Sequence, residues 1–159
     1  MEDVEFYTLL IIYANKIYFS SNVSFIYNYN NAENVSNNLK NLINKAHSIN
    51  NVRKSILNYE KIKRNNRLVR YINTQFFHMI MNYLFIHYYN YGEFNTIIKF
   101  INVNFDNSFI KSINIKYLKY YSKILYKCIC RKDINLLKLV FDFKKKVKEG
   151  KIKWKKELA

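Results

Sequence analysis

The histidines and cysteines are the side chains of this sequence best suited to holding a metal ion, and their spacing does not favour one. His47, His78 and His87 lie in different segments or nine residues apart, so none forms the i, i+4 pair of a helical metal site. Cys128 and Cys130 form a single CxC pair with no second pair and no nearby histidine, so four zinc ligands are not assembled. We expect no metal and no other cofactor, and we predict that both cysteines are reduced, packed residues of an intracellular protein.

Groups that could perform catalysis do not form a recognisable motif either. Gly92 and Gly150, the two glycines of the chain, are too far apart in sequence to make a phosphate-binding loop. Asp106 and Asp133 stand at predicted helix caps and Asp142 stands beside a basic run, so capping and charge balance account for these carboxylates. No serine, cysteine and histidine are spaced as an activated nucleophile. We therefore predict that the chain is not an enzyme.

The composition favours an all-α fold. Half of the 159 residues are hydrophobic and 18% are aromatic, which is enough to build a buried core. With two glycines and no proline, the chain lacks the turn residues that sandwiches, barrels and Rossmann units use. Asn, Lys, Ile, Tyr and Phe all have AT-rich codons, so a genome's base bias also contributes to this composition and to the formal charge of +16. That charge would attract an acidic partner or a polyanion.

The ends and the apolar runs of the sequence predict neither a targeting signal nor a membrane span. The start "MEDVEF" is acidic, unlike a secretory or mitochondrial signal. The longest apolar stretch, residues 76–89, is interrupted by His and Asn and is shorter than the roughly 20 residues that cross a bilayer. We predict no transmembrane segment, and an intracellular location in the cytoplasm or nucleus.

The first half of the chain divides into two predicted segments. Residues 1–30 are an apolar segment followed by a linker, and periodicity allows either a helix or a strand pair there. Residues 31–73 predict a coiled-coil-like helix, because apolar residues recur in steps of four and three with one position missing at Arg53. The candidate seam consists of Val35, Leu39, Leu42, Ala46, Ile49 and Ile56.

The second half predicts a helical core over residues 74–143 and a basic tail over residues 144–159. A buried helix over residues 74–89 is expected to end at Gly92, where a left-handed C-terminal cap favours glycine. Shorter helices follow, and Asp133 is the predicted N-cap of the last one, with Ile134, Leu137 and Phe141 on one face. The lysine-rich tail has Trp154 as its single apolar anchor.

Two basic clusters are candidate contacts for a polyanion. On a helix, the first cluster would form a basic face, which is either a solvated surface or a site for phosphate or an acidic partner. The candidate contacts are Lys61, Lys63, Arg64, Arg67, Arg70, Lys144, Lys145 and Lys146.

Residues 83–101, "YLFIHYYNYGEFNTIIKFI", resemble a LisH motif. That motif has two apolar residues, an aromatic, a leucine, a glycine, and a Thr-Ala pair that opens a second helix; Glu93 stands where the motif has tyrosine. The matching positions are Tyr83 and Leu84 for the apolar pair, His87 for the aromatic, Tyr88 for the leucine, Gly92 for the glycine, and Thr96 and Ile97 for the Thr-Ala pair. Residues 113–145 look like a CTLH segment, and a coiled-coil-like helix precedes the motif, as in MAEA-type and related subunits of the CTLH (GID) ubiquitin-ligase complex.

This resemblance implies a helical scaffold that dimerises through LisH within a ubiquitin-ligase assembly. The family's CRA segment and RING-like domain have no counterpart in this sequence, so no ubiquitin transfer is expected of the chain itself. LisH helices are short and bury their apolar face against a partner copy. The candidate dimer interface is Tyr83, Leu84, Tyr88, Ile97 and Phe100, for which a place in the core of a folded monomer is the alternative.

Two functions remain open from the sequence. The first is a non-enzymatic helical scaffold that acts through a protein partner or self-association. The second is a basic nucleic-acid-associated protein, such as a ribosomal or ribonucleoprotein subunit from an AT-rich genome. Nucleic-acid binding through several phosphates would weaken steeply with salt, whereas an apolar helical interface would not.

Overall fold

The fold is known from a computed structural model, which describes residues 2–14 and 41–151. Those residues form eight α-helices and no strand, so the predicted all-α fold is confirmed. The helices are α1 (Glu2–Tyr13), α2 (Leu42–Leu57), α3 (Glu60–Lys63), α4 (Asn66–Tyr91), α5 (Phe94–Asn104), α6 (Asn107–Ser112), α7 (Tyr120–Cys130) and α8 (Ile134–Lys148), with one 3-10 turn at Ile115–Tyr117.

The N-terminal segment is a helix as far as the structure describes it. Glu5 of α1 accepts a hydrogen bond from the Ser55 hydroxyl of α2 at 2.6 Å. The Lys61 ammonium donates to the backbone carbonyl of Ile12 at 3.0 Å and lies over the Tyr13 ring. These contacts tie α1 to α2 and α3. The predicted linker, and the part of the tail that contains Trp154, lie outside the described residues.

The helices between residues 31 and 73 differ from the single coiled-coil-like helix of the sequence prediction. The chain leaves the helix at Asn58 and Tyr59, because the seam positions that would follow Ile56 hold Glu60 and Lys63, which gain nothing from burial. It leaves again at Asn65, whose side chain accepts the backbone N–H groups of two residues in the first turn of α4. The predicted division at residue 73 falls inside α4, which is continuous.

The core forms where α2 packs along α4. The described seam residues Leu42, Ala46, Ile49 and Ile56 are all buried, and Val35 and Leu39 lie outside the described residues. The seam therefore faces another helix of the same chain. In this structure it is an intramolecular packing surface, and it is not exposed for a second chain to form a coiled coil.

Helices α5 to α8 complete the core through aromatic side chains. Phe77 of α4 contacts the rings of Phe105 and Phe109, and Phe141 of α8 contacts Phe85 and other rings of α4 and α5. The predicted caps are confirmed at Asp106 and Asp133, whose carboxylates accept backbone N–H groups of α6 and α8. None of the described helices combines the length and apolarity that crossing a membrane requires.

Candidate functional site

The predicted dimer interface lies inside the single chain. Leu84, Ile97 and Phe100 belong to the core, Tyr88 is also buried, and Tyr83 is half-buried. The turn between α4 and α5 folds this apolar face against α2 and α8, so an exposed dimer surface cannot be built on these residues in this structure. This corrects the assignment made from the sequence.

The glycine turn of the LisH-like segment has the expected backbone and an unexpected side-chain contact. Gly92 ends α4 in the left-handed region, at φ 69°, and its N–H donates to the Tyr88 carbonyl. Glu93 contacts the His87 ring nitrogen at 3.2 Å and accepts the Thr96 hydroxyl at 3.3 Å. Glu93, which stands where the LisH motif has tyrosine, thus connects the end of α4 with the start of α5.

An exposed apolar surface lies on α7 and α8. Inner positions of α8, such as Leu137 and Phe141, are buried. A second apolar stripe follows the helix on another face, with Leu139 63% exposed and Phe143 39% exposed. Together with α7 this stripe forms the α7–α8 groove, lined by Tyr120, Tyr121, Ile124, Leu139, Val140 and Phe143.

Charged residues flank the α7–α8 groove on its α8 side. Lys145 and Lys146 lie beside Leu139 and Phe143, together with two carboxylates. Both carboxylates have partners within the chain, because Asp142 accepts the Tyr88 hydroxyl and Glu149 pairs with Lys151 at 2.6 Å. The result is an apolar groove with a basic border.

The first predicted basic cluster has several separate roles. Lys61 holds α1, and Arg64 pairs with Glu60 at 3.0 Å across one exposed helical turn. Lys63 is exposed. Arg67 and Arg70 differ from these three, because they line a shared groove of about 900 Å³.

That groove, which we call the Arg67–Arg70 groove, combines positive charge with exposed aromatic rings. Tyr71 is 52% exposed and Tyr117 is 57% exposed, and both line it. Side-chain amides of Asn65, Asn66 and Asn114 complete its lining. Guanidinium groups next to exposed rings suit phosphates and unstacked bases, so the structure brings together two of the predicted polyanion contacts in a usable arrangement.

A partly open cavity of about 340 Å³ lies between α4, α7 and α8. His78 of α4 and Ser122 of α7 share a hydrogen bond of 2.7 Å on its wall, and Lys119 and Lys144 also line it. Burial lowers the pKa of His78, and the two lysine charges lower it further. Burial, with a smaller effect from the charge of Lys148, lowers the pKa of Lys144 to about 8. Lys144, which the sequence placed at the start of the basic tail and among the polyanion contacts, thus belongs to α8 and lines this cavity.

A polar network in the core was not predicted from the sequence, although the sequence contains a signal for one. Arg53, at the missing seam position, is 4% exposed. Its guanidinium donates to the side-chain oxygens of Asn50 at 2.9 Å and Asn73 at 2.8 Å, and it lies 3.9 Å from the Phe109 ring centroid. The Asn50 amide continues the network to Asn104 at 3.0 Å. A charged residue that interrupts an apolar seam is the signal that would have predicted it.

The structure separates the two cysteines. Cys128 is buried, and burial raises the pKa of its thiol, whereas Cys130 is exposed. The prediction that both are packed is therefore wrong for Cys130, because α7 buries only one stripe of its residues. Over residues 2–14 and 41–151, no group of three or more His, Cys, Asp or Glu side chains is placed to hold a metal ion.

The chain was compared with protein-family models, characterised proteins and solved structures. No family model, no characterised protein and no solved structure matches it.

Proposed function

We propose that this protein is a non-enzymatic interaction module that binds an acidic, amphipathic helix of a partner protein in the α7–α8 groove. The single observation that carries this proposal is the second apolar stripe of α8. Its Leu139 is 63% exposed while the opposite side of the same helix is buried in the core. A groove between two helices with an apolar floor is the surface that an amphipathic helix occupies in many complexes.

The charge of the molecule indicates the chemistry of the partner. The chain carries a formal charge of +16, and Lys145 and Lys146 lie at the border of the groove. A second copy of the chain would bring another +16 to the same place, whereas an acidic helix would complement it. The proposed occupant therefore has leucine-like residues on one face and Asp or Glu at its edges.

Site-specific photocrosslinking tests this proposal in the native cell. A photoreactive residue at position 139 is compared with one at position 103, because Val103 of α5 is 80% exposed and lies outside the groove. We expect position 139, and not position 103, to crosslink one protein through a segment that mass spectrometry shows to be amphipathic and acidic. Equal crosslinking at both positions, or none at position 139, would refute the groove as the docking site.

The resemblance to LisH-CTLH subunits supplies a context for such a module. Subunits of that kind act as scaffolds in a ubiquitin-ligase assembly, and we extend this as a proposal to the present chain. The docking surface that we propose is different from the LisH-like segment, whose apolar residues are buried. The crosslinked partner would reveal whether the assembly is of this kind.

Binding of single-stranded nucleic acid is a second candidate function, favoured by the Arg67–Arg70 groove. The probe is a polyuridine oligonucleotide, titrated at two salt concentrations. Replacing Arg67 and Arg70 by Ala should reduce the slope of affinity against salt by about two, one for each lost phosphate contact. Replacing the exposed Lys99 and Lys138 removes the same charge elsewhere and serves as the control. An equal effect from this pair would indicate nonspecific attraction.

A further inference from the structure

The cavity between α4, α7 and α8 adjoins the α7–α8 groove and shares Tyr121 and Phe143 with it. Met81, Leu125 and Val147 give it apolar walls, and its volume of about 340 Å³ lies within the usual range for small-molecule sites. It is partly open, so a ligand can enter without unfolding a helix.

The polar groups of the cavity are mostly cationic or hydrogen-bond donors. Lys119 and Lys144 both line it, and the ion pairs found among the described residues involve neither of them. The Lys144 ammonium lies 3.9 Å from the centroid of the Phe85 ring and 4.3 Å from that of Tyr121, so it is held in place by aromatic faces.

Two further groups add hydrogen-bonding capacity. The hydroxyl of Tyr121, another lining residue, is buried and has no hydrogen-bond partner. The Ser122 hydroxyl shares a hydrogen bond with the His78 ring on the wall of the cavity. A buried hydroxyl without a partner is costly, and a ligand oxygen that accepts from it would remove that cost.

We propose that this cavity binds a small carboxylate with an apolar tail, of the size of a medium-chain fatty acid. The tail would lie against Met81, Leu125 and Val147. The carboxylate would lie near Lys119 and Lys144. This assignment follows from apolar walls and cationic groups in one partly open cavity, and it does not require the protein partner proposed above.

Calorimetric titration of the full chain with octanoate tests the proposal. Octylammonium, which has the same tail and the opposite charge, is the matched probe. We expect octanoate to bind and octylammonium to bind at least about tenfold more weakly, because two lysines repel the latter. The Lys144→Met variant keeps the packed stem and should bind octanoate about tenfold more weakly.

A matched variant distinguishes the cavity from the general charge of the surface. Lys138 is exposed on the same helix and does not line the cavity, so Lys138→Met should leave octanoate affinity unchanged. NMR spectra of the wild type should show octanoate shifting the methyl signals of Met81 and Val147, which does not depend on any variant folding. Absence of binding, shifts spread over the whole surface, or equal affinity of both variants would overturn the proposal.

Discussion

At the residue scale, Arg53 shows how a buried charge is held without a carboxylate against it. Burial lowers the pKa of Arg53, and the negative charge of Asp106 offsets part of this effect. Its hydrogen-bond partners are amide oxygens of Asn50 and Asn73, which belong to α2 and α4. The network fixes the register of those two helices, since a shift of one turn would separate donors from acceptors.

Replacing Arg53 by Met should reduce the free energy of unfolding by about 3 kcal/mol. The substitution keeps most of the side-chain volume but leaves the oxygens of Asn50 and Asn73 without their donor in the core. Urea denaturation of both proteins measures the difference. Lys54→Ala, at an exposed neighbouring position of α2, should change stability by less than about 0.5 kcal/mol. Comparable values for the two variants would contradict a structural role for the network.

Lys144 gives a prediction about pH. Its folded-state pKa of about 8 lies below the ordinary value of 10.5, so between these values the unfolded chain holds a proton that the folded chain has released. Stability therefore rises with pH in this window. The groups that face Lys144 include Lys148 on α8, Tyr121 on α7 and, across the cavity, His78 and Lys119.

The measurement is the unfolding free energy of the wild type relative to Lys144→Met at pH 8 and pH 10. We expect the difference to change in favour of the wild type as pH rises, because the desolvated ammonium loses its charge. A difference that stays constant, or that changes in favour of the variant, would show that Lys144 keeps its proton throughout.

At the element scale, the turn after α4 depends on backbone conformation. A Cβ atom at Gly92 would meet no other atom within 4 Å, so a substitution there is opposed only by its left-handed φ. Gly92→Ala should therefore cost about 1 kcal/mol, and Gly92→Asn should cost less because Asn tolerates this region better. Thermal denaturation of the two variants tests this order of stability. If side-chain contacts decided the outcome, the larger Asn would be more destabilising than Ala.

Helix periodicity predicted the inner faces of the helices well. The described seam positions of α2 are buried, and so are Leu137 and Phe141. Ile134, the third residue of the predicted α8 face, lies in the first turn of the helix and is 48% exposed. Helix ends were less predictable where asparagines could cap in several places, as at Asn58 and Asn65. The caps at Asp106 and Asp133 were predictable because the acceptor precedes an apolar run.

Periodicity did not determine which apolar stripe packs against other helices of the same chain. Leu84 and Leu139 both lie on apolar stripes of helices, yet Leu84 is fully buried and Leu139 is 63% exposed. The difference arises because α2 and α5 cover one stripe, whereas the described helices leave the other exposed. That outcome depends on tertiary arrangement, which explains why the predicted interface was placed on residues that this structure buries.

At the scale of the whole molecule, this difference predicts how two equivalent substitutions behave. Leu84→Asp puts a charge in the core and should unfold the protein or cost more than about 4 kcal/mol. Leu139→Asp should leave it folded, because position 139 is solvated. Circular dichroism and light scattering distinguish the cases. If the wild type is a dimer and Leu84→Asp is a folded monomer, the dimer interface predicted from the LisH resemblance would be supported after all.

The net charge of +16 also affects how fast the whole molecule associates with charged molecules. It accelerates encounter with any polyanion, so attraction alone is weak evidence for a specific partner. An apolar groove contributes affinity that salt does not screen. The two candidate functions are therefore separated by whether the apolar face or the arginine pair determines the affinity.

The most direct test of the central claim is the affinity of the purified crosslinked partner for three forms of the chain, measured by calorimetry at moderate and high salt. Leu139→Asp should bind at least about tenfold more weakly than the wild type at both salt concentrations, as loss of a central apolar contact requires. Val103→Asp adds the same charge at an exposed apolar position on α5 and should bind like the wild type. If the two variants bind equally, the α7–α8 groove is not the docking site.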